Sequence, residues 1–405
     1  MQKLINLSLR MISTAAKFVL IVLITKNIGQ KALGEYGLFF STITIAFYFM
    51  GMDFYVFNTR ELIAHPEKEK RAILIRDQFI FYLFTYAIVL PSLLLVFFLD
   101  IIDFHYLLLF YLVLITEHLS QELYRLFITL SHQTWATLLL FIRSASWIYV
   151  LALLSILGFE QVHQLKIIYA SWFLGGLLCI IISMIYLIKS HRVHNFYGKI
   201  NFAWMKQGLM VSLPFFIGTI AYKVVEFSNR YIINFFMSKE DVGIFTFFSN
   251  IANSLQTIVF TLVIMMYYPK VIDAYQKNEH TDALIKNFTK ETIVYSLAGM
   301  IAIGILIYPL LGFLNKAEFF EQLPIFWILL FSALFMNLSF VPHYQLFALK
   351  QDLLIRNITL MVAVLNVVLT CLLVFWMGLY GAAMAMLISC LAMYLLKQKH
   401  LSASK

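Results

Sequence analysis

The chain has 405 residues, of which 62% are hydrophobic and 13% are charged, and its formal net charge is +9. A soluble domain is roughly 45–50% apolar and about 25% charged, so this composition excludes an ordinary soluble domain. The basic residues lie beside long apolar runs, which indicates membrane topology rather than nucleic-acid binding.

Twelve apolar runs follow one another along the chain. A membrane-spanning helix needs roughly 20 mainly apolar residues, because the hydrocarbon layer is about 30 Å thick. We therefore predict an all-α polytopic membrane protein with about twelve transmembrane helices, since lipid offers no hydrogen-bond partner to an exposed backbone. The predicted spans are residues 4–25, 36–58, 78–99, 106–130, 134–157, 166–188, 208–237, 243–268, 290–313, 323–348, 355–377 and 379–396.

Lysine and arginine are distributed unevenly between the two sides of this arrangement. An even number of spans places both termini on one side, and the loops of that side hold about four times as many lysines and arginines as the opposite loops. The positive-inside rule then places both termini in the cytoplasm. We predict an N-terminal six-helix bundle at residues 1–188, a cytoplasmic connector at 189–207 and a C-terminal six-helix bundle at 208–405.

A weak internal repeat relates the two predicted bundles. Phe-Phe-Ser at residues 39–41 matches Phe-Phe-Ser at 247–249, and Gly34 and Gly243 match one residue out of register. Both segments open the second helix of a six-helix half. The repeat predicts two halves of the same orientation, and transporters built from such parallel repeats bind substrate near the bilayer midplane between the halves.

Ten ionisable side chains lie well inside the predicted spans. At a helix centre each costs roughly 2.5–3.5 kcal/mol, so such residues face a cavity or pair with one another. Six are basic and four are acidic, and this surplus of positive charge favours an anionic substrate. The ten are Arg10, Lys17, Asp53, Glu117, Glu122, Arg125, Arg143, Lys223, Glu226 and Arg230.

Some of these charges have a structural interpretation as well as a functional one. Glu122 and Arg125 are three residues apart on one face of a helix, a spacing typical of a structural ion pair. On the seventh span, Glu226 lies near enough to neutralise Lys223 or Arg230. Both interpretations stay open from the sequence alone.

The first span is harder to explain by pairing. Arg10 and Lys17 are seven residues apart and share a helix face, and this span has no acid of its own. If the halves are equivalent, the first and seventh spans can approach a common cavity, with the fifth span as a further contributor. We predict these substrate-binding residues: Arg10, Lys17, Arg143, Lys223 and Arg230. We predict these counter-charges or ion-coupling groups: Asp53, Glu117, Glu122 and Glu226.

Uncharged polar side chains in the second half favour a water-filled path, although singly each is more often a helix–helix contact. They are Asn229, Asn234, Asn250, Asn253, Gln256, Asn337, His343, Gln345 and Asn366. The sequence contains no P-loop, nucleophile elbow or metal-spaced set of histidines and cysteines, and its three cysteines lie in apolar runs. No enzyme activity, cofactor or metal site is therefore predicted.

Several short motifs recur in a pattern along the chain. Five lie within residues 1–65, and the others begin the seventh predicted span, follow the eighth and open the twelfth. They are Arg10, Lys17-Phe18, Ala32-Leu33-Gly34-Glu35-Tyr36-Gly37, Gly51-Met52-Asp53-Phe54-Tyr55, Thr59-Arg60-Glu61-Leu62, Ser212-Leu213-Pro214, Tyr268-Pro269-Lys270 and Gly378-Leu379-Tyr380-Gly381-Ala382-Ala383. Together these stretches resemble the Wzx-type O-antigen and polysaccharide flippases of the MOP (multidrug/oligosaccharidyl-lipid/polysaccharide) exporter superfamily, most specifically within residues 1–65.

The resemblance implies a MOP/MATE-like fold and a flippase activity. Such a protein moves an undecaprenyl-diphosphate-linked oligosaccharide from the cytoplasmic to the periplasmic leaflet of a bacterial inner membrane by alternating access through a cationic cavity. The implied partners are this lipid-linked oligosaccharide, membrane lipid and other polysaccharide assembly proteins, with no nucleic acid. Carried onto this chain, the candidate headgroup contacts are Arg10, Lys17, Lys223 and Arg230.

Two other functions remain to be weighed. A MATE-type multidrug/cation antiporter would need an acidic cavity for its cationic substrate, whereas the predicted interior here is net basic. A membrane-embedded glycosyltransferase or polymerase would normally carry a large periplasmic loop, and no predicted loop of this chain exceeds about twenty residues.

Overall fold

The computed structural model describes the backbone of residues 2–191 and 199–403 and the side chains of 8–189 and 199–402. Within these residues every regular element is a helix. The α-helices are α1 Gln2–Asn27, α2 Gln30–Gly51, α3 Tyr55–Ala64, α4 Lys68–Ser92, α5 Leu94–Phe98, α6 Leu107–Thr129, α7 Gln133–Phe141, α8 Trp147–Ile156, α9 Leu165–His191, α10 Phe202–Phe236, α11 Lys239–Val259, α12 Met265–Gln276, α13 Asp282–Leu314, α14 Ala317–Glu321, α15 Leu323–Ala348 and α16 Asp352–Ala403.

The described helices include ten segments that are long and apolar enough to cross a membrane. α6 has the required length with 23 residues, but its polar side chains lower its hydropathy. α16 is two helices joined at Gly378, whose φ of 57° breaks the helical backbone. With these two additions the described part of the chain has twelve long helices, which confirms the predicted all-α polytopic membrane fold.

One predicted span, 36–58, is wrong as a continuous helix. α2 ends at Gly51, and Met52 and Asp53 both have left-handed backbone conformations, with φ of 45° and 49°. A Cβ on Gly51 would lie 2.9 Å from the imidazole Nε2 of His118 on α6. The close approach of the two helices at this glycine is a tertiary contact, and periodicity in the sequence does not report it.

The second departure concerns residues 269–290, which the predicted spans leave as a loop between 243–268 and 290–313. Instead, α12 continues α11 through the π-helical turn Phe260–Ile264, and residues from Asp282 onward belong to α13. The apolar residues of this region therefore extend two membrane helices.

The chain divides into two compact units. The first consists of Met1–Gly29 and Leu38–Phe216, and the second of Gln30–Gly37 and Ile217–Lys405. Within the second unit, Ala221 and Val225 of α10 pack against apolar residues of α16. The predicted bundle boundaries at 188 and 208 stay a prediction, and residues 192–198 of the predicted connector lie outside the described residues.

Gly34 and Gly243 make a reciprocal contact within the second unit. A Cβ on Gly34 would overlap the backbone oxygen of Lys239, and a Cβ on Gly243 would overlap the backbone oxygen of Gln30. Each glycine thus lies against the carbonyl four residues before the other, at the beginnings of α2 and α11. The contact pairs the two glycines directly, one residue out of register with the Phe-Phe-Ser match.

We expect Gly34→Ala and Gly243→Ala each to destabilise the protein by about 3 kcal/mol, because forcing an extra methyl into a packed contact costs typically 1–3 kcal/mol and here the neighbour is backbone. The midpoint of thermal unfolding in detergent measures this loss. Gly312→Ala is the matched control, since nothing lies within 4 Å of a Cβ at this helical glycine. Equal midpoints for all three variants would contradict the reciprocal contact.

Candidate functional site

Arg143 and Glu117 form an ion pair in the first unit. Arg143 lies in the π-helical turn Ile142–Ser146 between α7 and α8, and its Nη1 is 3.5 Å from Oε1 of Glu117 on α6. The indole Nε1 of Trp172 donates to the other carboxylate oxygen of Glu117 at 3.0 Å. The Arg143 side chain is 9% exposed and its Nε has no hydrogen-bond partner. The pair reduces the cost of both charges, and Nε of Arg143 stays buried without a hydrogen bond.

Glu122 is the centre of a second, tighter cluster on α6. Its side chain is 2% exposed, and Arg125 Nη1 lies 2.5 Å from Oε1. Oε2 accepts hydrogen bonds from the Tyr82 hydroxyl at 2.5 Å and from Gln78 Nε2 at 3.1 Å. The Arg125 guanidinium lies 3.6 Å from the centroid of the Tyr55 ring. Both carboxylate oxygens are satisfied by protein groups, so the geometry here is that of a structural ion pair.

His118 adds a neighbouring buried polar group. It is completely buried, and its Nδ1 lies 2.6 Å from the Tyr86 hydroxyl. Its Nε2 has no hydrogen-bond partner. A cleft of about 210 Å³ adjoins the Glu122 cluster on the side of Arg125 and Asn58.

The remaining predicted residues of the first unit are Asp53, Arg10 and Lys17. Asp53 is 4% exposed between α2 and α3, close enough to Arg125 for an electrostatic interaction. Arg10 on α1 donates from Nη2 to the Tyr124 hydroxyl at 3.4 Å, and no carboxylate of the described chain lies within ion-pair distance of it. Lys17 lies on the exposed side of α1.

In the second unit, Lys223 and Glu226 form an ion pair on α10. Lys223 Nζ lies 2.7 Å from Oε2 of Glu226, and the two side chains are 17% and 26% exposed. The sequence left open whether Glu226 neutralises Lys223 or Arg230, and the structure places its carboxylate on Lys223.

Arg230 is buried one turn further along α10, where it is 2% exposed. Its guanidinium donates to the Thr246 hydroxyl at 3.2 Å, to the Ser249 hydroxyl at 2.9 Å and to the backbone oxygen of Glu226 at 3.2 Å. In the described part of the chain no carboxylate lies within ion-pair distance of this guanidinium. Arg230 is therefore a buried cation whose hydrogen bonds all go to neutral oxygens, and its guanidinium also lies 5.2 Å from the centroid of the Phe227 ring.

A small cleft lies among α10, α11, α15 and α16 of the second unit. Its polar lining includes Tyr222 and Glu226 from α10 and Asn253 and Gln256 from α11, and its apolar lining includes Met336 from α15. Gln256 Nε2 donates to the Tyr222 hydroxyl at 2.7 Å. Three of these residues, Glu226, Asn253 and Gln256, were singled out by the sequence, but only the structure shows that they share one wall.

Several polar contacts were missed from the sequence. Tyr82, Trp172 and Thr246 each contact a predicted charge from another helix, and sequence spacing carries no signal for such contacts. Lys397 directly follows the last predicted span, 379–396, but it is 5% exposed within α16, and the described residues place no carboxylate within ion-pair distance of it. The sequence signal for its burial was its position, four residues after Met393 and within an apolar run.

Comparison with known proteins gives a family and a fold. Residues 2–274 match the model of the family described as polysaccharide biosynthesis protein. None of the curated proteins compared with this chain matches it.

Solved structures are similar over nearly the whole chain. An inward-facing multidrug resistance MATE family transporter of the MOP superfamily has a TM-score of 0.77 at 15% identity, over 99% of this chain and 98% of that chain. The lipid II flippase MurJ, in an inward closed conformation, has a TM-score of 0.78 at 14% identity, over 98% and 87%. A mutant of the Vibrio cholerae MATE transporter VcmN has a TM-score of 0.63 at 13% identity, over 99% and 98%. These similarities confirm the MOP/MATE-like fold.

Proposed function

Because the chain belongs to the polysaccharide biosynthesis protein family, we propose that it is a flippase for an undecaprenyl-diphosphate-linked oligosaccharide, such as an O-antigen repeat unit. The substrate moves from the cytoplasmic to the periplasmic leaflet of a bacterial inner membrane by alternating access, and both termini are cytoplasmic. The family and the fold support a transporter of lipid-linked or drug-like substrates in general, and the glycan substrate is our proposal.

The observation that carries the proposal is the environment of Arg230. A buried arginine with no carboxylate at ion-pair distance in the described chain is expensive to maintain in a membrane helix. Its guanidinium can bind phosphate oxygens in a forked geometry, and such charge-assisted hydrogen bonds are stronger than neutral ones. Arg10 likewise lacks a carboxylate partner among the described residues. A phosphate group of the carrier lipid would give either arginine the ion-pair partner that no carboxylate of the described residues provides.

We propose that Lys223 and Arg143, which are held in ion pairs, also bind the phosphate groups of the substrate. Lys223 pairs with Glu226 at 2.7 Å, and Arg143 pairs with Glu117 at 3.5 Å. A diphosphate competes with these carboxylates for the same donors, so the acids act as counter-charges when no substrate is bound. Lys17 completes the proposed set on α1.

The alternative function is a multidrug/cation antiporter. The MOP/MATE-like fold of this chain is equally compatible with that activity. That activity needs an acid left free for a cationic drug. Glu117, Glu122 and Glu226 each lie in an ion pair with a basic side chain. This pairing favours an anionic substrate over a cationic one, and the family favours transport over glycosyl transfer.

Deletion of the gene tests the proposed function. We expect the deletion strain to lose its surface polysaccharide and to accumulate the lipid-linked repeat unit, and the restored gene to recover export. Immunoblotting of surface glycan and extraction of the lipid-linked pool measure the two effects. Normal surface polysaccharide in the deletion strain, with no second flippase present, would contradict the proposal.

Lys17→Ala and Lys223→Ala test the proposed cationic contacts. We expect each substitution to abolish export at unchanged protein level, because it removes a compact ammonium group that binds the diphosphate. Complementation of the deletion strain, normalised to membrane protein level, measures the loss. Lys316→Ala, in the α13–α14 loop, is the control. Wild-type export by both single variants and the double variant would remove these lysines from the mechanism.

A further inference from the structure

Arg230 is oriented by neutral oxygens of α10 and α11. Its Nε donates to the Thr246 hydroxyl at 3.2 Å, its Nη2 to the Ser249 hydroxyl at 2.9 Å and its Nη1 to the backbone oxygen of Glu226 at 3.2 Å. A guanidinium carries five N–H donors in one plane. With three of them bonded, the plane of the group is fixed, and so is the direction of the N–H groups that remain.

The Thr246 hydroxyl reaches Arg230 because residue 37 has no side chain. Thr246 is 1% exposed. A Cβ on Gly37 of α2 would lie 2.4 Å from Oγ1 and 3.0 Å from Cγ2 of Thr246. Ordinary van der Waals contact begins at 3.4 Å, so any side chain at position 37 would turn or displace the hydroxyl. The bond from Arg230 on α10 to Thr246 on α11 thus depends on a glycine of a third helix.

This contact lies one turn beyond the reciprocal contact of Gly34 and Gly243. Gly37 follows Gly34 by three residues, and Thr246 follows Gly243 by three, so the two pairs lie at successive turns of α2 and α11. At the first turn both members are glycine, so the close approach of the two helices there involves no hydroxyl. What distinguishes the second turn is the hydroxyl of Thr246, and this hydroxyl accepts from Arg230.

The bond from Nε matters for a ligand because of the geometry of the guanidinium. A phosphate binds an arginine through two parallel N–H···O bonds, which require the fork of N–H groups to face the phosphate oxygens. An arginine side chain has several rotatable bonds, and binding is weaker when a flexible group must first be immobilised. A hydroxyl that already holds Nε removes part of this cost.

We propose that Thr246 and Gly37 are positioning residues for Arg230. Thr246 holds the guanidinium in the orientation that binds phosphate, and Gly37 provides the space for the Thr246 hydroxyl. Neither residue is assigned a contact with the substrate. The inference rests on the proposed function, since it requires Arg230 to bind a phosphate group of the lipid-linked oligosaccharide.

Binding of undecaprenyl diphosphate to the purified full chain tests the role of Thr246. We expect Thr246→Val, which keeps the shape but loses the acceptor, to raise the Kd about fivefold, the factor that the net free energy of one hydrogen bond provides. Thr246→Ser keeps the acceptor and should bind like the wild type. Undecaprenol, which has no phosphate, should bind all three proteins equally. Thr257→Val is the matched control, because Thr257 is exposed on the same helix.

Gly37→Ala tests the space beside Thr246. The added methyl displaces the hydroxyl, so we expect a similar rise in the Kd for undecaprenyl diphosphate, although residue 37 and Arg230 are on different helices. Gly312→Ala is the control, since nothing lies within 4 Å of a Cβ there. A wild-type Kd for folded Gly37→Ala would overturn the role of Gly37.

A double-mutant cycle with Arg230→Met separates positioning from an independent effect. Thr246→Val should not raise the Kd further in the Arg230→Met background. An equal rise in both backgrounds overturns the positioning role, as does a wild-type Kd for Thr246→Val or a failure of Thr246→Ser to restore binding. These outcomes leave the proposed function standing as long as Arg230→Met itself weakens binding. A wild-type Kd for Arg230→Met, or no binding of undecaprenyl diphosphate by the wild type, overturns the phosphate role of Arg230 together with the inference.

Discussion

Arg230→Met should reduce export of surface polysaccharide at least about 30-fold while the protein remains folded. Truncating one partner of a buried, hydrogen-bonded charge pair costs about 2–5 kcal/mol, and every 1.4 kcal/mol is a factor of ten. Methionine is unbranched and fills irregular apolar space, so it suits the buried site. The Ser249 hydroxyl, which accepts from Arg230, also donates to the backbone oxygen of Thr246 at 3.2 Å, so it keeps a hydrogen bond when the guanidinium is removed.

The stability of this variant separates a binding role from a structural one. If Arg230 is retained for phosphate, its removal relieves the cost of a charge inside the membrane, and the thermal midpoint in detergent should be unchanged or higher. Arg230→Lys keeps the charge but loses the forked geometry, so its export should be intermediate. Arg60→Met, at an exposed arginine of α3, is the control. A lower midpoint with wild-type export per folded molecule would contradict the proposed role.

Glu122→Gln should destabilise the protein by about 3–5 kcal/mol, because it leaves the Arg125 charge without its partner, and breaking a buried ion pair from one side has this cost. The side chains of Glu122 and Arg125 are 2% and 15% exposed, and the carboxylate also accepts from Tyr82 and Gln78. The thermal midpoint and the yield of folded protein from membranes measure the effect.

The double variant Glu122→Gln/Arg125→Met should recover much of this stability, since replacing a buried pair by neutral groups is often close to neutral. Asp273→Ala is the matched control, because the Asp273–Lys277 pair is 58% exposed on both sides and contributes little to stability. A Glu122→Gln variant with a wild-type midpoint but no export would instead assign Glu122 to transport.

Membrane insertion could be predicted from the sequence because it depends on local composition. A run of roughly 20 apolar residues is hydrophobic wherever it lies in the fold, so about twelve spans, the helical class and the break at Gly378 between the last two spans were accessible. The surplus of basic side chains inside the spans was accessible for the same reason. The glycine repeat also carried information, since Gly34 and Gly243 meet in the structure.

Only the tertiary structure decided which charges are neutralised. Glu117 and Arg143 are on different helices, and their pairing depends on the π-helical turn that contains Arg143. Glu226 had two basic neighbours at suitable spacing, and packing against Thr246 and Ser249 held Arg230 away from its carboxylate. The reason is physical: spacing along one helix determines which side chains share a face, whereas the partner on that face comes from another helix. Composition and periodicity therefore indicated a membrane protein, and contacts between helices decided which arginines of the described chain have no carboxylate at ion-pair distance.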